Sequence, residues 1–452
     1  MATTAPALAV VLVAVVLVGG VTSDDAPQTT SSSSTGGGLT PDLARWLSKR
    51  ETPSKISKKI AQDVFPGKGY GLRAEERIEA NDTLMEVPAS VFLSLKTAAE
   101  GSLGPVVEEL FQGNCSANAI LAVHLLHERR LGEASEFRAY VDSLPETFDL
   151  PLVWSREELE ELNGTQLLPK VVRQRQVLDA EYRDAVLPVL SDPRHADLLA
   201  GFAVPFEDFL WASCCVLSRA FVVHTEGSTK LPVLIPGVDI FNTGQSETRL
   251  EIDNAKGLVS VVSDQEFAEG DQVFLNLGTE PNLGYMLTQG FALVNNPDDY
   301  VELFVRGDPD DPFLDTKHRI LRYLNVTPGL TTFVLQRKGK IPKDLLTSLR
   351  VHTMKPSEFD DYKTLEGNKA LNLQNELQAS REVLLACQKS LQSFPTTVKE
   401  DDELLLQPGG LERRKAYAIL YRRGEKLVYI EAMHAITENW NSILFAGDNV
   451  AD

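Results

Sequence analysis

The sequence predicts an α+β protein: a β-rich domain split by a helical insertion and followed by an all-helical C-terminal domain. Three observations carry this prediction. From Asp63 to Ser94, glycine-rich turns alternate with short β-prone runs, and a similar pattern returns between Leu234 and Phe274. Between these stretches apolar residues recur at three and four, as on a helix. Beyond Gly307, amphipathic helical segments follow one another to the end.

At 452 residues the chain is long enough for two or three structural units. Its 44 basic and 64 acidic residues give a formal net charge of −20. That charge argues against general binding of nucleic-acid phosphates and favours a basic or neutral partner. With 43% hydrophobic and 24% charged residues, the body has an ordinary globular composition.

Residues 1–23 read as a secretory signal peptide or an anchor. Ala5 to Val21 is almost wholly apolar, and the small residues Gly19, Gly20, Thr22 and Ser23 suit cleavage after Ser23. The first basic residue is Arg45, and the apolar run is near the ~17-residue lower limit for a span, so a retained anchor is the alternative. Cleavage is preferred, and no stable membrane insertion is expected unless the leader is retained. Residues 24–45, which include the Ser/Thr/Gly run Thr29–Gly38, read as a flexible linker. Sequons at Asn81, Asn114, Asn163 and Asn325 agree with the secretory pathway or with an organelle, such as a plastid, reached through it. Cys115, Cys214, Cys215 and Cys387 show no metal-ligand spacing and read as buried thiols, with Cys214 and Cys215 on different faces of one helix.

The first β-rich part is expected over 46–95. Gly67, Gly69 and Gly71 let the backbone turn sharply and approach a ligand. No phosphate loop is present, because Lys68 is not followed by Ser or Thr, and Ala74 spoils a dinucleotide fingerprint. The helical insertion is expected over 96–205, with segments around Ile120–Leu126, Glu136–Pro145 and Trp154–Thr165. Ser155, followed by Glu157 and Glu158, suits a helix start. His124 and His127 lack a third ligand and an HExxH motif, so they read as structural and no metal site is expected. No GxSxG elbow supports a serine hydrolase.

The second β-rich part is expected over 206–306. It carries Trp211–Phe221 (WASCCVLSRAF), Leu234–Asn242 (LIPGVDIFN), strands around the Glu269-Gly270-Asp271 turn, and Gly278–Phe291. The C-terminal domain is expected over 307–445, with helices at Asp315–Leu324, Pro342–Val351, Asn372–Leu391 and Arg413–Tyr429. Before the last of these comes FPTTVKEDDELL (Phe394–Leu405), whose acidic run Glu400–Glu403 reads as a solvated helix N-terminus.

Taken in order, Gly67–Leu72 (GKGYGL), Leu84–Pro88, the Leu162–Thr165 turn, Ser218–Phe221, Leu234–Asn242, Gly290-Phe291 and Phe394–Leu405 resemble one family. It is the SET-domain protein methyltransferases of the Rubisco large-subunit methyltransferase group, and the likeness runs from Asp63 to about His434. The resemblance implies a SET domain in two parts, a helical insertion and a C-terminal domain that docks a protein substrate. It also implies S-adenosylmethionine as cofactor and a monomer. By position, Lys68, Gly69, Tyr70, Arg219, Asn242 and Thr243 would hold the cofactor, and Asp239 and Gln289 would face the substrate. Tyr300 is a catalytic candidate by position. Tyr285 is a second, since it lies one helical turn before Gln289, with a half-buried packing aromatic as the preferred alternative reading.

Methyl transfer to nitrogen is an in-line displacement, so catalysis consists mainly of alignment and desolvation by the channel residues. Three of them depart from the group's pattern. Thr243 replaces the histidine of Asn-His, Leu277 replaces a strand-end tyrosine, and Gln289 replaces the tyrosine of Tyr-Gly-Phe. Two readings follow. One is an S-adenosylmethionine-dependent N-methyltransferase acting on a lysine, or in second place a histidine, of a non-histone protein. The alternative is a catalytically inactive SET-fold module that keeps only its protein-docking role.

Overall fold

The computed structural model describes residues 38–49, 53–65, 69–195, 204–224, 230–244, 248–276, 278–339, 341–407 and 410–445. The apolar leader 1–23, most of the expected linker, Lys68 and Leu277 lie outside these residues. Among the described residues no helix is long and apolar enough to cross a membrane. The chain divides into two units. The first holds the described residues through Trp154, with Val171–Thr279 and Met286–Phe291, and the second holds Ser155–Lys170, Glu280–Tyr285 and the described residues from Ala292 onward.

The expected linker ends earlier than its composition suggests. Pro41–Ser48 is a helix whose N-cap, Thr40, accepts a hydrogen bond from the Leu43 N–H at 3.1 Å. Leu43 and Leu47, four residues apart, are fully buried in the core of the first unit. Leu47→Ala should therefore cost about 2–5 kcal/mol of stability in urea unfolding; an unchanged midpoint would mean the helix packs without consequence.

Short strands make up the β part of the first unit. Before the insertion come β1 (Lys55–Ile56), β2 (Ile60–Phe65), β3 (Gly69–Ala74), β4 (Thr83–Pro88) and β5 (Leu93–Ser94). After it come β6 (Phe221–His224), β7 (Lys230–Leu234), β8 (Asn242–Gly244), β9 (Thr248–Asp253), β10 (Leu258–Ser263) and β11 (Gln272–Asn276). They form three sheets in the orders β1-β4-β10-β9, β2-β3-β11-β8 and β5-β7-β6. Each sheet joins strands from both sides of the insertion, so neither β-rich part can complete a sheet alone. Leu84, Met85 and Val87 of β4 and Val259 and Val261 of β10 point into one core.

Helix Ala117–Leu131 is buried along most of its length, with Ser116 as its cap. His127 bonds Ser102 Oγ at 3.1 Å, and His124 lies 3.2 Å from the Ser94 carbonyl and 3.5 Å from Glu128, which settles both as core histidines. Cys214 packs with Leu150 and Leu152, whereas Cys215 joins the main core, so adjacent thiols on helix Phe206–Arg219 serve different clusters. All four cysteines are free and buried, and burial raises their thiols. Asn81, Asn114 and Asn325 occupy left-handed turn positions with φ of 70°, 59° and 59°, which gives asparagine a backbone reason to be there.

In the second unit β12 (Tyr300–Val305) pairs antiparallel with β13 (Thr331–Gln336). The C-terminal region is thus helical except for β13. Phe333 and Leu335 alternate inward from that strand and join Val301 and Leu303 against Leu345, Ala379, Val383 and Val428. The helices are Leu314–Tyr323, Lys343–Thr353, Leu373–Gln392, Val398–Leu405 and Arg413–Phe445.

The expected insertion is also divided, since Ser155–Lys170 groups with the second unit. The Gln166 side chain explains why. Its amide nitrogen donates to the Glu302 carbonyl at 2.7 Å and its amide oxygen accepts from the Glu302 N–H at 2.9 Å, mimicking a strand partner on β12. Glu158 adds an ion pair with Arg414 at 2.9 Å. Ser155 and Glu158 form the capping box that the acidic first turn predicts.

Asp401 overturns the solvated reading of the acidic run. Thr397 and Glu400 do form a capping box, but Asp401 is fully buried between Arg422, 2.9 Å away, and Lys426, 2.5 Å away.

Candidate functional site

The glycine loop and the Leu234–Asn242 turn are far apart in sequence, and β11 joins them. Its start runs antiparallel to β3, with Gln272 opposite Arg73 and Val273 opposite Leu72. Its next residues run parallel to β8, with Phe274 opposite Asn242 and Leu275 opposite Thr243. One strand therefore sets the distance between the two halves.

Gly69, with φ of 75°, makes the left-handed turn into β3. Gly71 permits a close approach instead. A Cβ at that position would lie 2.6 Å from Asn242 Nδ2, 2.8 Å from Gln272 Nε2 and 3.1 Å from Phe65 Cδ2. Both amide nitrogens are buried, and neither has a hydrogen-bond partner. Buried polar groups are nearly always satisfied, so these two unpartnered amide nitrogens beside a bare backbone are candidates to bind an acceptor. Tyr70, opposite Val64 in the β2–β3 hairpin, is half-buried next to this turn. Lys68 falls outside the described residues.

Arg219 and Asp239 come together, but not as an open pocket. Arg219 Nη1 donates to the Asp239 carbonyl at 3.0 Å and reaches its carboxylate at 3.4 Å. The Tyr140 hydroxyl donates to Asp239 Oδ2 at 2.9 Å. The Asp239 side chain is only 1% exposed. Burial raises its carboxyl above the usual range and Arg219 works against that rise, while burial also lifts the Tyr140 phenol. The Asp239 carboxylate thus meets a cation and a phenol through Oδ2, while its buried Oδ1 has no hydrogen-bond partner. Arg219 acts first as its counter-ion.

Two of the departures from the group's pattern touch each other. The Thr243 hydroxyl donates to Gln289 Oε1 at 3.1 Å, and both residues are half-buried in the first unit. Leu277, the third, lies outside the described residues. Tyr285 and Tyr300 are residues of the second unit. Tyr285 is 3% exposed; burial raises its phenol and a backbone hydrogen bond at Glu280 counters the rise, as suits a packing aromatic. Tyr300 is half-buried on β12 opposite Gln336, with its phenol raised by burial.

Comparison with known proteins bears directly on this arrangement. A family described as Rubisco LSMT substrate-binding matches residues 308–428. Actin-histidine N-methyltransferase of Rattus norvegicus is 27% identical over 416 residues, covering 88% of this chain and 68% of that protein. The Xenopus tropicalis enzyme is 26% identical, covering 88% and 70%. A structure of Rubisco LSMT bound to sinefungin and monomethyllysine matches with a TM-score of 0.72 at 25% identity, covering 90% of this chain and 93% of that one. The SET domain of LSMT bound to lysine and AdoHcy matches with a TM-score of 0.70 at 24% identity, covering 89% and 91%.

In fold and sequence the chain is similar to the Rubisco LSMT-like SET-domain methyltransferases, and its C-terminal segment matches their substrate-binding family. Within this LSMT-like fold, sequence reasoning missed Gln272 and Tyr140. Gln272 follows a turn and looks like its solvated edge, and Tyr140 sits in a helical stretch. Only the strand pairing at Arg73 and the approach of Tyr140 to Asp239 show their roles.

Proposed function

We propose that this chain is an S-adenosylmethionine-dependent protein N-methyltransferase whose acceptor is a lysine, or in second place a histidine, of a non-histone protein. The observation that carries the proposal is the buried, unpartnered Asn242 amide lying against Gly71 across β11. Donors held ready for an acceptor fit this cofactor, which offers carboxylate, hydroxyl and ring-nitrogen acceptors. When bound it supplies an activated methyl group on sulfur. The LSMT structures bound to AdoHcy and to AdoMet support the cofactor, and the LSMT structure bound to monomethyllysine supports a lysine acceptor. The actin-histidine N-methyltransferases keep histidine as the second choice.

The chain's own residues contribute positioning. Gly69, Tyr70 and Asn242 form the cofactor side, with Lys68 next in the loop. The Arg219–Asp239–Tyr140 cluster fixes the segment between β7 and β8 that leads into Asn242. A lysine or histidine acceptor must arrive as the neutral base, so any group that excludes water or removes a proton there favours transfer. The C-terminal domain, matched to a substrate-binding family, would dock the protein that bears the acceptor.

A second reading, a non-catalytic docking module, is favoured by one observation: Thr243 and Gln289 satisfy each other. The readings part at cofactor binding. Titrating the full chain with S-adenosylhomocysteine should show binding that Asn242→Ala weakens by about 10-fold or more. Wild-type protein that takes up no ligand at millimolar concentration would leave the docking module as the function.

A further inference from the structure

We propose that Asn114 and Asn325 carry N-linked glycans. The proposal rests on the expected entry of the chain into the secretory pathway and is independent of the methyltransferase reading. In the transfer, the asparagine Nδ2 bonds to the anomeric carbon of a lipid-linked oligosaccharide and gives up one proton. The bond from that carbon to the lipid diphosphate breaks, and the diphosphate leaves with the electron pair.

The two asparagines occupy the same structural position. Each follows a helix, Gly104–Gln112 or Leu314–Tyr323, and each has a left-handed φ of 59°. The Asn114 N–H donates to the Phe111 carbonyl at 3.1 Å, and the Cys115 N–H to the Leu110 carbonyl at 3.0 Å. At the other site the Asn325 N–H donates to Arg322 at 3.1 Å and the Val326 N–H to Leu321 at 2.9 Å. In both, the middle residue of the sequon, Cys115 or Val326, is buried and pins the turn. The asparagine and the hydroxyl residue that completes the sequon, Ser116 or Thr327, are exposed. Glycine is the usual residue at such a helix end, so the turn accounts for the backbone and makes no use of the asparagine side chain. Neither amide is hydrogen-bonded among the described residues. Phe111 and Tyr323, each 49% exposed in the last turn before the asparagine, offer a ring to the C–H face of a first sugar. Asn325, with Tyr323, Lys343 and Asn368, also borders a polar hollow of about 560 Å³ that has room for sugar. The remaining sequons are less open. Asn81 Oδ1 accepts from Arg249 at 3.3 Å, and Gly164, next to Asn163, packs against Ser393, whose carbonyl oxygen lies 2.5 Å from where a Gly164 Cβ would stand.

The test is translation of the full chain with and without endoplasmic-reticulum microsomes, followed by electrophoresis before and after peptide N-glycosidase. Wild type should show a microsome-dependent upward shift that the glycosidase removes. Asn114→Gly and Asn325→Gly should each lose one step of that shift, whatever Asn81 and Asn163 contribute. Glycine takes the left-handed turn without strain, so a lost step reports the missing amide and not a disturbed turn. Ser116→Thr and Thr327→Ser, which keep the hydroxyl, should keep the step. Absence of any microsome-dependent shift, or an unchanged shift in either glycine variant, would overturn the proposal. Titration with S-adenosylhomocysteine reads the methyltransferase separately, so the two readings fail independently.

Discussion

Asp401→Ala should destabilise the second unit by about 3–5 kcal/mol, the scale expected when one partner of a buried ion cluster is removed. The carboxylate holds two cations that are themselves out of water. Arg422 donates to Oδ1 from Nε at 2.9 Å and Lys426 sits 2.5 Å from Oδ2, with 2% and 1% of the two cationic residues exposed. Thr396 adds a hydroxyl bond to Oδ1 at 2.8 Å. Without Asp401, Arg422 would keep only Glu161, at 2.7 Å, and Lys426 would keep the Thr396 and Thr397 carbonyls, at 2.8 and 3.2 Å. Burial already lowers the Lys426 ammonium and Asp401 opposes that fall, so the variant would drive this lysine toward its neutral form. Asp401→Ala combined with Lys426→Met should recover part of the loss, since it removes a stranded charge along with its partner. Urea unfolding checks both variants. A loss below about 1 kcal/mol for the single change would mean that water reaches the cluster. Asp401, Arg422 and Lys426 all lie within the segment that matches the substrate-binding family, so this cluster organises the domain expected to dock the substrate.

What was legible in the sequence depended on whether a residue's chemistry is local. Glycines demand turns or close approach wherever they stand, so Gly69 and Gly71 pointed to a ligand loop before Asn242 was known to lie beside it. Ser155 with Glu158, and the apolar spacing in the C-terminal helices, likewise announce themselves within a few residues. The misses are all tertiary. Asp401 sits in a run of four acidic residues that looks like a solvated face until the last helix brings Arg422 and Lys426 against it. Thr331–Gln336 is short and lies among helices, and it becomes a strand because β12 offers an edge and Phe333 and Leu335 share a core with Val301. Leu43 and Leu47 were hidden by the Ser/Thr/Gly run before them. Nothing near Asp239 in the sequence foretells that Tyr140 bonds its carboxylate. Thr243 and Gln289, each a departure when taken alone, are a bonded pair in the fold, so their substitution is better understood as one change than as two losses.

Raising the pH from about 5 to about 8.5 should weaken the second unit, and Glu425→Gln should remove much of that dependence. Glu425 is buried in the last helix, where its carboxyl accepts from the Gln166 N–H at 3.1 Å and from the Tyr421 hydroxyl. Burial, above all, with the negative charge of Asp299 in support, pushes its pKa from 4.5 up to about 8, against the pull of Tyr421, Gln166 and Lys170. Asp299 moves the same way, from 3.8 to about 6, again chiefly through burial. The unfolded chain gives up these protons near pH 4, whereas the folded chain holds them longer. Their stabilisation is therefore complete below the unfolded values and is lost as pH rises through about 6 for Asp299 and about 8 for Glu425. At about 1.4 kcal/mol for each pH unit of displacement, Glu425 alone gives a swing on the order of 4 kcal/mol. Because the charge on Asp299 raises Glu425, the two titrations are linked and their effects do not simply add. A glutamine at 425 stays neutral and can still accept from Tyr421 and Gln166. The variant should thus match wild type near pH 5 and exceed it by several kcal/mol near pH 8.5 in urea unfolding. Parallel pH profiles for the two proteins would show that Glu425 already ionises freely in the fold. That difference would show the last helix carrying two opposite designs at adjacent positions, with Lys426 stabilised by a charged partner and Glu425 stabilised by staying uncharged.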